Sequence, residues 1–237
     1  MTISDHSQEV ITLITARGGS KGLKNKNILP MCGHPLISWT IRASTKCPLV
    51  SQTIVTTDSE QIASVSEQYS ASVIKRPAHL ASDTSTSDDA ISHALSEIQA
   101  TSNDPIIALL QPTSPLRTSL HLSEAIELFL ANEQQSVIAV YEPKHSPIKS
   151  FVVSEDNYLS GLYTPSAPFQ ARQSLPTAYQ PNGAIYLFRM SSFKRENMIP
   201  RGLIRPYIMS SKLSIDIDDQ YDFDLAESIL RNTLNEA

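Results

Sequence analysis

Two short segments carry residues whose types and spacing could do chemistry together. The first reads Ala16-Arg-Gly-Gly-Ser-Lys-Gly-Leu-Lys-Asn-Lys-Asn27. It matches neither G-x-x-x-x-G-K-[ST] nor G-x-G-x-x-G, so the two common phosphate-binding signatures are absent. The physics behind those signatures still applies. Small residues let backbone N–H groups converge on phosphate oxygens. Arg17, Lys21 and Lys26 can neutralise a triphosphate, and an arginine can do so with bidentate geometry. The second segment, Ser214-Ile-Asp-Ile-Asp218, alternates carboxylates with isoleucines. On a strand, Asp216 and Asp218 would share one face. Two carboxylates with phosphate oxygens suit Mg2+, and without a cation between them their repulsion is costly. Asp219, Asp222 and Asp224 are better placed to favour the start of a final helix.

The charge distribution frames these two segments. No acid lies between Glu9 and Asp58, a stretch that holds Arg17, Lys21, Lys24, Lys26, Arg42 and Lys46. The acidic pole runs from Asp216 to Glu227, with no base between Lys212 and Arg231. The chain has only 7 glycines, and three of them, Gly18, Gly19 and Gly22, sit in the cationic loop. A cationic glycine loop and a remote acidic cluster point to a polyphosphate and a metal ion.

The elements that must position these groups alternate in type. Apolar runs predict strands at residues 10–15, 53–56, 72–75, 106–110, 137–141 and 184–188, with a shorter one at 213–217. Helical spacing links Ile91, Ala94, Leu95 and Ile98; Leu122, Ala125, Ile126, Phe129 and Leu130; and Leu225, Ala226, Ile229 and Leu230. Ile62, Val65 and Tyr69 fit less completely. Thr57-Asp-Ser-Glu60 and Thr118 read as helix starts. Such alternation predicts a mostly parallel sheet covered on both faces, with ligands beyond the carboxyl ends of the strands. Residues 142–181 break the rhythm with six prolines and scattered aromatics. They read as an inserted flap or oligomerisation arm within a single domain of residues 1–237.

Composition excludes several classes. With 41% hydrophobic and 18% charged residues the chain reads as globular. No apolar run nears the roughly 20 residues of a membrane span, and the N-terminus lacks signal-peptide character. A net charge of −5 argues against a general nucleic-acid partner. Cys32 and Cys47 make neither a disulfide framework nor a zinc site, so a cytoplasmic setting is expected. The six histidines show no metal-ligand spacing, and Trp39 reads as core.

With these segments in place, the chain resembles the sugar-activating cytidylyltransferases, in particular the CMP-sialic acid synthetase family. Further blocks match in order: Arg76-Pro-Ala-His-Leu-Ala-Ser-Asp-Thr84, Leu109-Leu-Gln-Pro-Thr-Ser-Pro-Leu-Arg117, Pro181-Asn-Gly-Ala-Ile-Tyr186 and Ser214-Ile-Asp-Ile-Asp218. The resemblance implies a three-layer α/β/α, Rossmann-like fold of the nucleotide-diphosphosugar transferase type, a Mg2+ cofactor and a homodimer. It implies CTP and a nine-carbon nonulosonic acid as substrates, with CMP-sugar and pyrophosphate as products. The loop is similar to that of bacterial synthetases acting on legionaminic acid.

By the same resemblance Arg17, Ser20, Lys21, Lys26 and Asn27 hold the triphosphate and the departing pyrophosphate. Arg76, Ser85 and Ser87 meet cytosine and ribose, although Ser85 and Ser87 could equally cap a helix. Gln111, Lys149, Arg172 and Tyr186 line the sugar pocket, with Arg172 also readable as a loop arginine and Tyr186 as core. Asp216 and Asp218 hold the metal, and Asp218 or a metal-bound hydroxide takes the sugar's proton. Arg117 could fix a loop as easily as touch substrate, and Asn182-Gly183 could be a tight turn. Two other readings are open at this point. One is the same chemistry on deoxyoctulosonate or pseudaminic acid, and the other is a nucleotide-binding protein without turnover.

Overall fold

The computed structural model describes residues 8–19, 22–82, 85–131 and 135–235. In chain order the elements are β1 (Val10–Thr15), β2 (Pro30–Met31), β3 (His34–Pro35), α1 (Leu36–Thr45), β4 (Gln52–Thr57), α2 (Glu60–Gln68), β5 (Ser72–Lys75) and α3 (Ser87–Glu97). They continue with β6 (Ile106–Leu110), α4 (Ser119–Leu130), β7 (Ser136–Tyr141), β8 (Phe151–Val153), β9 (Leu159–Gly161), β10 (Gln180–Arg189), α5 (Met190–Glu196), β11 (Ile204–Ile208) and α6 (Gln220–Asn235).

Seven strands form the central sheet in the order β11-β7-β10-β6-β1-β4-β5. β10 runs antiparallel to β6 and β7, and the other pairings are parallel. The alternation within β1 builds two cores. Val10 and Ile14 join one cluster with Ile37, Ile41, Leu122 and Phe129. Ile11 and Leu13 point the other way, to Ile91, Leu95, Phe188 and Phe193. Helices α1, α2 and α4 thus cover one face and α3 and α5 the other, giving three α/β/α layers. A third cluster, with Met31, Leu36, Leu116, Ile217, Phe223 and Leu230, seats α6 and the acidic segment.

Helix starts follow local chemistry. The Ser59 side chain accepts from Ile62 N to cap α2. Thr118 and His121 form a reciprocal capping box on α4. Asp219 accepts from Asp222 N at 3.0 Å, while Asp222 accepts from Asp219 N, so this pair caps α6.

Four features depart from the sequence expectations. Residues 213–217 form no strand: Ser211–Leu213 is a 3-10 turn, and Ile217 N makes a single ladder-like bond to Thr113 O at 2.9 Å. The isoleucines alternate because Ile217 is buried in the α6 cluster while Asp216 and Asp218 are exposed, not because a sheet imposes period 2. The 184–188 strand begins at Gln180, so Asn182-Gly183 lies inside β10 at a register shift between Pro181 and Tyr186. Edge strand β11 carries no alternating pattern, is mostly exposed, and escapes a periodicity reading. Helix α1 grows out of the apolar run around Trp39, and α5 is too short to show a period.

Candidate active site

Parallel strands put their carboxyl ends on one edge of the sheet, and the reversed β10 brings its start to the same edge. Thr15, Thr57, Lys75 and Leu110 therefore deliver the segments after them to one place, opposite Asn182 and Gly183. A cavity of about 450 Å³ opens there, lined by Thr15, Arg17, Gly19, Gly22, Lys26, Asn27, Ser87, Gln111, Pro112, Thr113, Asp216 and Asp218. A second cavity of about 350 Å³ shares Thr15, Arg17 and Ser87 with the first and adds Arg76, Ser82, Ser85 and Thr86. The two are lobes of one cleft, with Arg17 on the wall between them.

The cationic and acidic poles of the sequence meet in the first lobe. The Lys26 ammonium donates to Ile217 O and stands 3.8 Å from the Asp218 carboxylate. Lys26 is 13% exposed and Asp218 is 87% exposed, so the carboxylate faces open solvent. Gly22 lies so close to the Asp218 carbonyl that a Cβ would overlap it. The Asn27 side-chain amide donates to Arg17 O at 3.1 Å and holds the loop's arginine at the lobe boundary. Ser20 and Lys21 lie outside the described residues.

In the second lobe Arg76 is 7% exposed and donates to Thr56 O at 2.9 Å. Burial lowers its pKa, Asp58 opposes that and Arg17 adds to it. Thr86 caps α3 through a capping box with Asp89, so Ser85 and Ser87 on either side of it are not the caps. Ser85 instead donates to His79 O at 2.6 Å, and both serines line the cavity.

Gln111 lines the first lobe beside Asp216. Arg117 does not reach the cavity: it is 3% exposed and donates to Ala184 O and Thr40 Oγ1, both at 2.7 Å, and to Gln111 O. Burial drives its pKa down to about 9, with Asp216 opposing; it is charged at neutral pH and fixes a loop. Asn182 is likewise buried and donates to Ser214 Oγ at 2.9 Å, tying β10 to the acidic segment. Tyr186 is half-buried and lines a separate 220 Å³ cleft with Asp88, Arg201 and Ile204. Burial and then Asp216 raise its phenol pKa, so it remains an O–H donor.

Lys149 and Arg172 do not line either lobe. Lys149 donates to Gln170 O at 2.7 Å, and Arg172 pairs with Glu142 at 2.6 Å, both within the 142–181 segment. Thr15, Pro112 and Thr113 line the cleft without standing among the individually assigned site residues, and Gly22 joins them from the cationic loop. Thr15 is signalled as the last residue of the first strand, and Pro112 and Thr113 by the Leu109–Arg117 block.

Among the described residues no group of three or more His, Cys, Asp or Glu could hold a metal. Asp216 and Asp218 alone still suit Mg2+, which typically takes one or two carboxylates and completes its shell with water and substrate phosphate. Among the described residues no helix is long and apolar enough to cross a membrane.

Comparison with known proteins agrees with this geometry. An N-acylneuraminate cytidylyltransferase of Escherichia coli O18:K1:H7 is 35% identical over 221 residues, covering 93% of this chain and 52% of that protein. The chain therefore spans about half the length of that relative. The CMP-N,N'-diacetyllegionaminic acid synthase of Campylobacter jejuni is 31% identical, covering 94% of this chain and 95% of that one. A solved CMP:2-keto-3-deoxy-manno-octonic acid synthetase complexed with CTP superposes with a TM-score of 0.73 at 15% identity, covering 95% of this chain and 100% of that one. That likeness shows a shared fold. The cytidylyltransferase family model matches residues 11–226, and with this cleft, this fold and these relatives the chain belongs to the cytidylyltransferase family.

Proposed function

We propose that the chain transfers CMP from CTP to the anomeric 2-hydroxyl of a nine-carbon nonulosonic acid, of the sialic or legionaminic acid type. One observation carries the reading. The cationic loop and both aspartates, some 190 residues apart in sequence, converge on a single cleft with a second lobe of nucleoside size. The sugar oxygen forms a bond to the α-phosphorus, the bond from that phosphorus to the pyrophosphate oxygen breaks, and the hydroxyl proton leaves to a base. Arg17, which lines both lobes, is the cation we assign to the departing pyrophosphate, where a fixed positive charge favours the transition state. Asp218, exposed at the cavity wall, is the group we assign to accept the proton. Asp216 and Asp218 would hold Mg2+, which when bound supplies positive charge to the phosphates.

The test is pyrophosphate release with each nucleoside triphosphate and a panel of acidic sugars. The panel contains N-acetylneuraminic, legionaminic, pseudaminic and deoxyoctulosonic acids. Release with CTP and a nine-carbon acid is expected; none with CTP and any nonulosonate would sink the reading. Arg17→Ala should cost about 2.7–4 kcal/mol of transition-state stabilisation, by analogy with lost oxyanion donors. Near-normal turnover of Asp218→Asn at saturating Mg2+ would remove both roles from Asp218.

The proposed enzyme works in the cytoplasm as a homodimer. The 142–181 segment supports the dimer because it exposes Val153 (63%), Leu159 (66%) and Phe169 (81%) on one excursion from the sheet. Light scattering of the native chain and of Phe169→Asp tests this; a monomeric native chain would refute it.

A further inference from the structure

The loop after β6 and the irregular start of β10 are latched together. Gln111 N donates to Gly183 O at 3.2 Å. The Ser114 hydroxyl donates to Asn182 O at 2.8 Å. Arg117 bridges Gln111 O and Ala184 O from below. At the centre is Gly183, with φ at 72°, a conformation that side-chain-bearing residues rarely adopt. A Cβ on Gly183 would overlap Gln111 Oε1 and approach Ser114 Oγ to 2.7 Å. The Gln111 amide thus occupies the volume that a side chain at 183 would fill. The main chain of Gln111 is bonded at both its N–H and its carbonyl, so displacement there must be taken up by the side chain. That side chain lines the same lobe as Asp216 and Asp218. An amide offers an acceptor and two donors in one fixed plane, a group suited to reading a polyhydroxy acid by position.

We infer that Gly183 is a positioning residue for the Gln111 amide, and that its missing side chain sets how tightly the acidic sugar is held. The inference rests on the proposed function for its substrate, but not for its geometry. Gly183→Ala, Gln111→Ala and the double variant test it. Gly183→Ala is expected to raise KM for the acidic sugar about tenfold, the scale of one lost hydrogen bond, with KM for CTP within about twofold. In the Gln111→Ala background the same change should add less than about twofold, because neighbours that act through one contact do not add. Effects that multiply independently would overturn the inference. An equal rise in KM for CTP would also overturn it, since general loosening of the cleft moves both constants.

Melting temperatures of the four ligand-free proteins give a second reading should Gly183→Ala fold too poorly to assay. The drop caused by Gly183→Ala should be smaller when residue 111 is alanine, the remainder coming from the positive φ and the approach to Ser114 Oγ, which both backgrounds share; an equal drop in both backgrounds refutes the positioning role. If the native chain releases no pyrophosphate with any acidic sugar, the proposed function fails. The melting comparison then still decides the role of Gly183.

Discussion

The Lys26 ammonium donates to the main-chain carbonyl of Ile217 and lies 3.8 Å from the Asp218 carboxylate. A residue whose charge and loop point to phosphate also braces the acidic segment, while still lining the cavity. The ion pair itself is worth little, because Asp218 is 87% exposed. The bond from a nearly buried ammonium to a carbonyl is the larger effect, about 1.5–3 kcal/mol. Lys26→Met should therefore lower the melting temperature of the nucleotide-free protein by roughly 3–12 °C. A lysine that served phosphate alone would leave that temperature unchanged.

Two glycines of one loop should respond differently to alanine. At Gly22 a Cβ would overlap the Asp218 carbonyl, whereas at Gly19 nothing lies within 4 Å. Gly22→Ala should destabilise by about 1–3 kcal/mol, the usual cost of overpacking. Gly19→Ala should stay within about 0.5 kcal/mol, as for an open surface site. Urea unfolding of the two variants measures the contrast; equal effects would mean that Gly22 does not hold the aspartate segment in place.

Arg117 serves Ala184, Thr40 and Gln111 with one guanidinium. Arg117→Met removes the guanidinium from Ala184 O and Thr40 Oγ1 in a buried site, leaving Gln111 O to Ser114 N alone, and should cost at least about 2 kcal/mol. Arg117→Lys should recover only part of this, since one ammonium cannot span the fork. Denaturant midpoints give the ranking, and a fully stable Arg117→Lys would contradict the bridging role.

A pH dependence follows from Glu9, far from the cleft. Its carboxylate is 7% exposed and accepts from Thr101 N and Ser102 N, both at 2.8 Å. Burial alone would raise its pKa, but the bonds from Ser102 and Thr101 outweigh burial and hold it below its ordinary 4.5. The unfolded chain then binds the proton more readily. The stabilisation is complete above about pH 4.5 and is lost as pH falls through the lower native value. Glu9→Gln should be less stable than the native chain at pH 7, with the gap narrowing toward pH 3. Urea midpoints at both pH values test this, and a constant gap would refute it.

Taken alone, the sequence determined what depends on neighbours in the chain. Apolar runs located six strands of the sheet, because a strand with a core on both faces keeps successive residues buried. Thr118, Ser59 and the Asp219–Asp222 pair marked helix starts, because capping is a contact over three residues. The two charge poles were visible as unbroken runs. Tertiary structure decided everything that depends on residues far apart. It gave the cavity-lining Lys26 a second contact as a brace, put Arg117 beneath the cleft rather than in it, and left Lys149 and Arg172 outside both lobes. It also showed that Asp216 and Asp218 alternate because Ile217 packs under α6, without any sheet. Gly183 is the clearest case: its sequence context allowed a turn, and only the approach of Gln111 from 72 positions away makes the absence of a side chain there a matter of substrate geometry.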